Sequence, residues 1–220
     1  MKNKTALFAL AVIVALTAAG TAWVYPRLPA TLVTHWGVHG APNGTMGRAW
    51  GAWLPVGLMV FIAALLWTVP YIDPRRQNYK AFRPLYNLFV VGMAIFMAYV
   101  QALSLAWNLG YRFSIARGLS PALGLLFIGL AALLRAARPN WFVGIRTPWT
   151  LSSPTVWHKT HQWGARAFFL AGVATLAGAV WEPALWLGVG FAVVSAVGLV
   201  AYSALAYERE QHSPTPPQND

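Results

Sequence analysis

Apolar runs separated by short polar connectors make up almost the whole of this chain. They fall at residues 5–24, 53–71, 86–109, 119–134, 167–180 and 184–205. A helix needs about 20 largely apolar residues to cross the hydrocarbon of a bilayer. The fourth and fifth runs are shorter than that, so they are expected to extend into their polar flanks. The pattern predicts an all-α, polytopic membrane protein: a six-transmembrane-helix bundle with an external cap loop after the first helix and a structured cytoplasmic loop before the fifth.

Composition agrees with this. Hydrophobic residues make up 58% and charged residues 10%, and the mean hydropathy is +0.52, outside the soluble globular range. A net charge of +11 would point to nucleic acid in a soluble protein. Here the basic residues follow the connectors instead. With the N-terminus inside, twelve of the sixteen Lys and Arg lie in cytoplasmic segments and only Arg27, Arg48, Arg112 and Arg117 lie outside, the asymmetry that orients membrane proteins. The expected setting is therefore a membrane crossed several times, with both termini cytoplasmic. The bilayer and its anionic lipids are partners, and no direct nucleic-acid contact is expected. Lys2 and Lys4 before an apolar run resemble a signal peptide, but the run continues past Thr17, Ala18 and Ala19 to Val24 and reads as a retained anchor. Without cysteine, disulfide and thiolate chemistry are absent.

Some classes of chemistry are poorly supported. All five acidic residues, Asp73, Glu182, Glu208, Glu210 and Asp220, fall in connectors or the tail, whereas a proton-coupled transporter keeps ionisable groups within its spans. The connector at 25–48 holds His35 and His39 at the spacing of helical neighbours, one geometry that binds zinc. Gly37 and the turn residues Gly40, Pro42, Asn43 and Gly44 weaken a helix there, and no Cys, Asp or Glu completes a set of about four ligands. No metal and no cofactor is expected. The connector at 72–85 carries Arg75, Arg76, Lys80 and Arg83 among aromatic residues, which reads as an interfacial anchor or as a docking surface for an acidic partner. Asn87, Gln101, Ser104 and Asn108 in the third run are suited to hydrogen bonds between helices.

The segment at 138–166, RPNWFVGIRTPWTLSSPTVWHKTHQWGAR, is too polar to span and carries four tryptophans. Pro139 and Asn140 stop the preceding helix. Gly144 admits a backbone angle that a Cβ forbids, and Pro148 holds Thr147 extended. Ser153 and Pro154 read as N-cap and first residue of a helix running through Trp157 and His161. That helix is predicted to be amphipathic and to lie at the membrane surface, with His158, His161 and Ala165 on one side and Lys159, Trp163 and Arg166 on the other. Arg146 offers a planar fork for an anion and Trp149 and Trp157 offer flat apolar faces. The same Arg146 would serve equally as a headgroup anchor or as a tie to neighbouring helix ends. His158 and His161 near Ser152, Ser153 and Thr160 bring candidate catalytic groups together, but no carboxylate orients either imidazole, so no catalytic residue is assigned.

The ordered motif GIRTPWTLSSPTVWHKTHQWG, residues 144–164, resembles the signature of the SdpI family of bacterial integral-membrane immunity proteins. LPATLVTHWGVHGAPNGTMGR, residues 28–48, resembles the small domain of unknown function that often precedes it. The resemblance implies a membrane protein that protects a cell against a secreted toxic peptide outside and recruits a repressor protein inside. It carries over Gly144, Arg146, Thr147, Pro148, Trp149, Trp157, Thr160 and His161 as candidates for ligand or partner binding in the main motif, to which the residues themselves add His158. In the preceding segment the candidates are His35, His39, Gly40, Asn43 and Gly44. A membrane enzyme using the His and Arg residues, and a structural or signalling protein without a toxin, are the alternatives. The expected organisation is a two-helix unit at 1–71 with its external loop at 25–52, a linker loop and third helix at 72–118, an SdpI-like region at 119–206 with its motif loop at 135–166, and a disordered tail at 207–220.

Overall fold

Helices dominate the structure, a computed structural model that describes residues 1–38 and 40–212. Among the described residues, five helices are long and apolar enough to cross a membrane: α1 (Asn3–Val24), α2 (Arg48–Ile72), α3 (Arg83–Asn108), α4 (Ile115–Ala136) and α7 (Pro183–Gln211). Between the last two lie a one-turn helix, α5 (Pro148–Ser152), and α6 (Pro154–Ala177). The fourth and fifth runs do extend into their flanks. α6 gains its length at the polar end, and the stretch from His158 to Arg166 keeps it out of the group of five.

Two expectations need correction. The connector at 25–52 is not all loop, and the fold is not wholly α. A 3-10 turn (Tyr25–Arg27) leads into an antiparallel hairpin of β1 (Thr31–Trp36) and β2 (Pro42–Gly47), and α2 already begins at Arg48. His35 therefore sits on a strand, opposite Gly44, and not on a helix. The hairpin tip turns at Gly40, whose φ is +75. Secondly, α7 runs on past 207 to Gln211; residues 213–220, where disorder is expected, lie outside the described residues.

Hairpin and bundle are stitched together. Leu32 is buried against Val24, Leu28, Ala52 and Leu105. The Asn108 amide donates to the Val33 carbonyl at 2.9 Å and accepts from the Val33 N–H at 2.8 Å, so a side chain takes the place of a neighbouring strand. Trp36 packs edge-on to Trp107 of α3.

Polar side chains join the helices, as the third run suggested. Gln101 donates to Thr21 of α1 and to the Ala52 carbonyl of α2. Asn87 donates to the side chain of Asn3 and the carbonyl of Met1. α6 packs antiparallel against both α4 and α7 through small residues. A Cβ on Gly172 of α6 would lie 2.7 Å from Ile128 and 2.8 Å from the Gly124 carbonyl of α4; one on Gly188 of α7 would strike Thr175 of α6. Near the other end of the same helices, a Cβ on Gly164 would meet Ile145 and, at 3.4 Å, Leu134 and Leu199. This order places Met1, the connectors at 72–83 and 137–153, and the end of α7 at one end of the bundle. The hairpin and the turn between α6 and α7 lie at the other.

Exposed aromatic residues mark both ends: Trp23, Trp50 and Trp181 near the hairpin, and Tyr71, Trp141 and Trp163 near the motif loop. Such rings favour membrane–water interfaces, where one edge is apolar and the other wet.

Candidate functional site

The motif loop folds because nearly every polar group in its interior finds a partner. Asn140 is fully buried and acts as its central tie. Its amide donates to the carbonyls of Arg138 and Val143, and its oxygen accepts from the N–H groups of Phe142 and Val143. Gly144 follows with φ +107. Thr147 caps α5 reciprocally, its hydroxyl accepting from Thr150 N–H while the Thr150 hydroxyl accepts from Thr147 N–H. Pro148 occupies the first helical position, where a missing N–H costs nothing. Ser153 caps α6 by accepting from Val156 N–H, with Pro154 next, as the sequence indicates.

His161 ties the loop to α6. Its Nδ1 donates to the Trp157 carbonyl at 2.8 Å and its Nε2 accepts from Ile145 N–H at 3.1 Å. Trp157 stacks on the imidazole at 4.0 Å and donates its indole N–H to the Ala137 carbonyl. A Cβ on Gly144 would clash with Nε2 of His161, so glycine is required by space as well as by angle. Burial above all pulls the His161 pKa down to about 4, against the Trp157 hydrogen bond that raises it and with a smaller lowering from the neighbouring His158. His161 lies before the apolar stretch that starts at Ala167, and it is neutral at pH 7. Both of its nitrogens are committed to the backbone, so as placed it is a strut and not a base.

A second tie comes from a segment that sequence reasoning treated as a separate loop. Asp73 is buried beneath the motif loop, where its carboxylate accepts from the N–H groups of Arg75 and Trp141 and from the Tyr79 hydroxyl. Tyr79 lies equally close, 3.2 Å, to Asn140 Oδ1. Burial, and then the negative charge of Asp73, raise the Tyr79 pKa far above its usual value, so the phenol keeps its proton. Asn78 donates to the Pro139 carbonyl and Arg75 to the Leu151 carbonyl. A third tie is Thr147 to Ser203 of α7, 2.9 Å between hydroxyls. Asp73, Tyr79, Asn78 and Ser203 were missed. The available signal was a lone carboxylate in a basic connector, and its partner lies 68 residues away.

The sequence-nominated residues thus divide. Thr147, Trp157, Thr160 and His161 are buried in the interior of one folded unit, with Gly144 partly buried against His161 and Pro148 exposed at the start of α5; the Thr160 hydroxyl has no hydrogen-bond partner among the described residues. Arg146 is exposed and donates to the Trp141 carbonyl within the same loop. Trp149 is partly buried. His158 is exposed and pairs with Gln162, whereas His161, about one turn further along α6, is buried. α6 is one continuous helix packed on α4 and α7, not an amphipathic helix lying on the surface. At the far end of the bundle His35 donates to Asn43 across the hairpin, with Gly44 pressed under the His35 Cβ. Gly40 forms the tip, and His39 lies outside the described residues.

This unit coincides with a known family. Residues 136–203, from the last residue of α4 to the Ser203 tie, match the SdpI/YfhL protein family. The likeness to that family covers this stretch of the chain. Ahead of it, residues 12–60 match DUF1648, a domain of unknown function, which here is the second half of α1, the hairpin and the first half of α2. Over 80 residues the chain is 29% identical to Immunity protein SdpI of Bacillus subtilis (strain 168), an alignment covering 36% of this chain and 39% of that protein. The chain thus matches well under half the length of that relative. No solved structure matches it. Asp73 and Tyr79 lie outside both matched segments, so the buried carboxylate joins the SdpI-family region to the rest of the bundle.

Proposed function

We propose that this protein is a membrane-embedded immunity protein of the bacterial plasma membrane, protecting the cell against a secreted toxic peptide. The reading is carried by the match of residues 136–203 to the SdpI/YfhL protein family together with the likeness of 80 residues of the chain to a protein named for immunity. In this reading the bundle has six spans. α6 packs antiparallel between α4 and α7 from Gly164 to Gly178, so if its neighbours cross the bilayer it crosses with them despite its polar start. Twelve of sixteen basic residues then lie inside, and both termini are cytoplasmic.

The hairpin end faces the toxin. A cavity of about 250 Å3 lies there, lined by Trp36, Ser104, Ile115, Leu185 and Trp186 among others. The Trp36 indole N–H is buried without an acceptor among the described residues. An apolar side chain of a peptide would fill the cavity, and its backbone carbonyl would satisfy that donor. At the cytoplasmic end, the tied loop reports occupancy to a repressor protein. The test is survival of a toxin-sensitive strain expressing the intact protein, Arg146→Ala or His35→Ala. Protection by the intact chain, weakened in the variants, is expected; equal killing with and without the intact protein refutes immunity.

A further inference from the structure

At the motif-loop end, α4 and α6 separate to leave a groove of about 480 Å3. Its polar members are Arg135, Gln162 and Arg166, and its deeper floor is formed by Ile128, Ala132 and Phe169. The order follows from the antiparallel packing: Gly172 meets Ile128 deep in the bundle, and Gly164 meets Leu134 near the loop. Charge therefore sits at the rim and hydrocarbon below it.

Neither arginine makes an ion pair among the described residues, where Arg117–Glu182 is the salt bridge found. Arg166 stacks over the exposed ring of Trp163, 4.7 Å from its centre, which leaves its N–H edge open. Two guanidinium forks suit the oxygens of a phosphodiester, while the Gln162 amide nitrogen is held by His158. The exposed Phe169 and Ala132 suit an acyl chain, which a free phosphate lacks.

The geometry points to a binding site for the headgroup of one anionic phospholipid, its phosphate between Arg135 and Arg166 and one acyl chain lying along Ile128, Ala132 and Phe169. This rests on α4 and α6 lying in the membrane and is independent of immunity. It assigns two of the basic residues to a defined site and goes beyond the diffuse attraction that any basic surface has for an anionic leaflet.

The test is native mass spectrometry of the full chain purified in detergent, titrated separately with phosphatidylglycerol and phosphatidylcholine. The intact protein should retain one phosphatidylglycerol with about tenfold preference. Arg135→Gln with Arg166→Gln should abolish the preference. Arg138→Gln with Lys159→Gln, which removes the same charge outside the groove, should keep it. Ala132→Trp, which fills the floor and leaves the charges, should weaken retention of phosphatidylglycerol, and this variant decides the matter if the double arginine variant fails to fold. Equal retention of both lipids, equal loss in the two charge-matched variants, unchanged retention in Ala132→Trp, or displacement by inorganic phosphate alone would each overturn the proposal.

Discussion

Replacing Gly144 with alanine should break the motif loop in two ways at once. The backbone angle is one that L-residues resist, and the new methyl group would occupy the place of the His161 ring nitrogen. A loss of about 3 kcal/mol is expected, read as lowered thermal stability in detergent. His161 itself should give the loop a pH response. Its pKa is about 4 when folded against about 6.5 when free. Between those values the unfolded chain binds a proton that the folded chain refuses. Stability is therefore complete above about pH 6.5, falls as the pH drops toward 4, and changes no further below, by up to about 3 kcal/mol in total. Melting curves across that window should show the slope, and His161→Gln should flatten it. Asp73→Asn leaves an amide facing three donors. It should cost about 2 kcal/mol and raise hydrogen exchange at Trp141, whose N–H is held by that carboxylate.

Helices and turns were legible where their causes are local. Ser153 before Pro154 marks the start of α6, and Gly144 marks its own backbone angle, because capping and sterics act within a few residues. The hairpin was not legible, because β2 reads PNGTMG, with proline, asparagine and two glycines that disfavour a strand. It exists through contacts remote in sequence, Leu32 on Gly51 and Asn108 on Val33. The same holds for the Asp73 tie: each half was readable as a turn, but their meeting depends on how five helices pack. Among the helices, the glycine crossing of α4 and α6 is the most exposed to a test. Gly172→Leu would force the two apart, since even its first carbon lies too close to Ile128 and the Gly124 carbonyl. A loss of about 2 kcal/mol is expected, measured by thermal unfolding, with Gly190→Leu, which faces open space, as the silent control.

For the molecule as a whole, the proposed orientation rests on the charge asymmetry and is open to direct measurement, because the sequence contains no cysteine and a single one can be placed at will. Val38→Cys at the hairpin and Ser152→Cys in the motif loop are both exposed. A membrane-impermeant maleimide applied to intact cells should modify the first, and reach the second only after permeabilisation. The opposite result would invert the proposed arrangement and remove the hairpin from the toxin's side.

The two aromatic rows carry a consequence of their own. On α2, Trp50 and Tyr71 stand 21 residues apart, about 32 Å at 1.5 Å per residue, close to the depth of hydrocarbon in an ordinary bilayer. Rings at both ends of so rigid a ruler resist being dragged inward or lifted out. Lipids with markedly shorter or longer tails should therefore force tilt or local deformation. Melting temperature, followed across a series of acyl-chain lengths, should peak where the tails match that ruler.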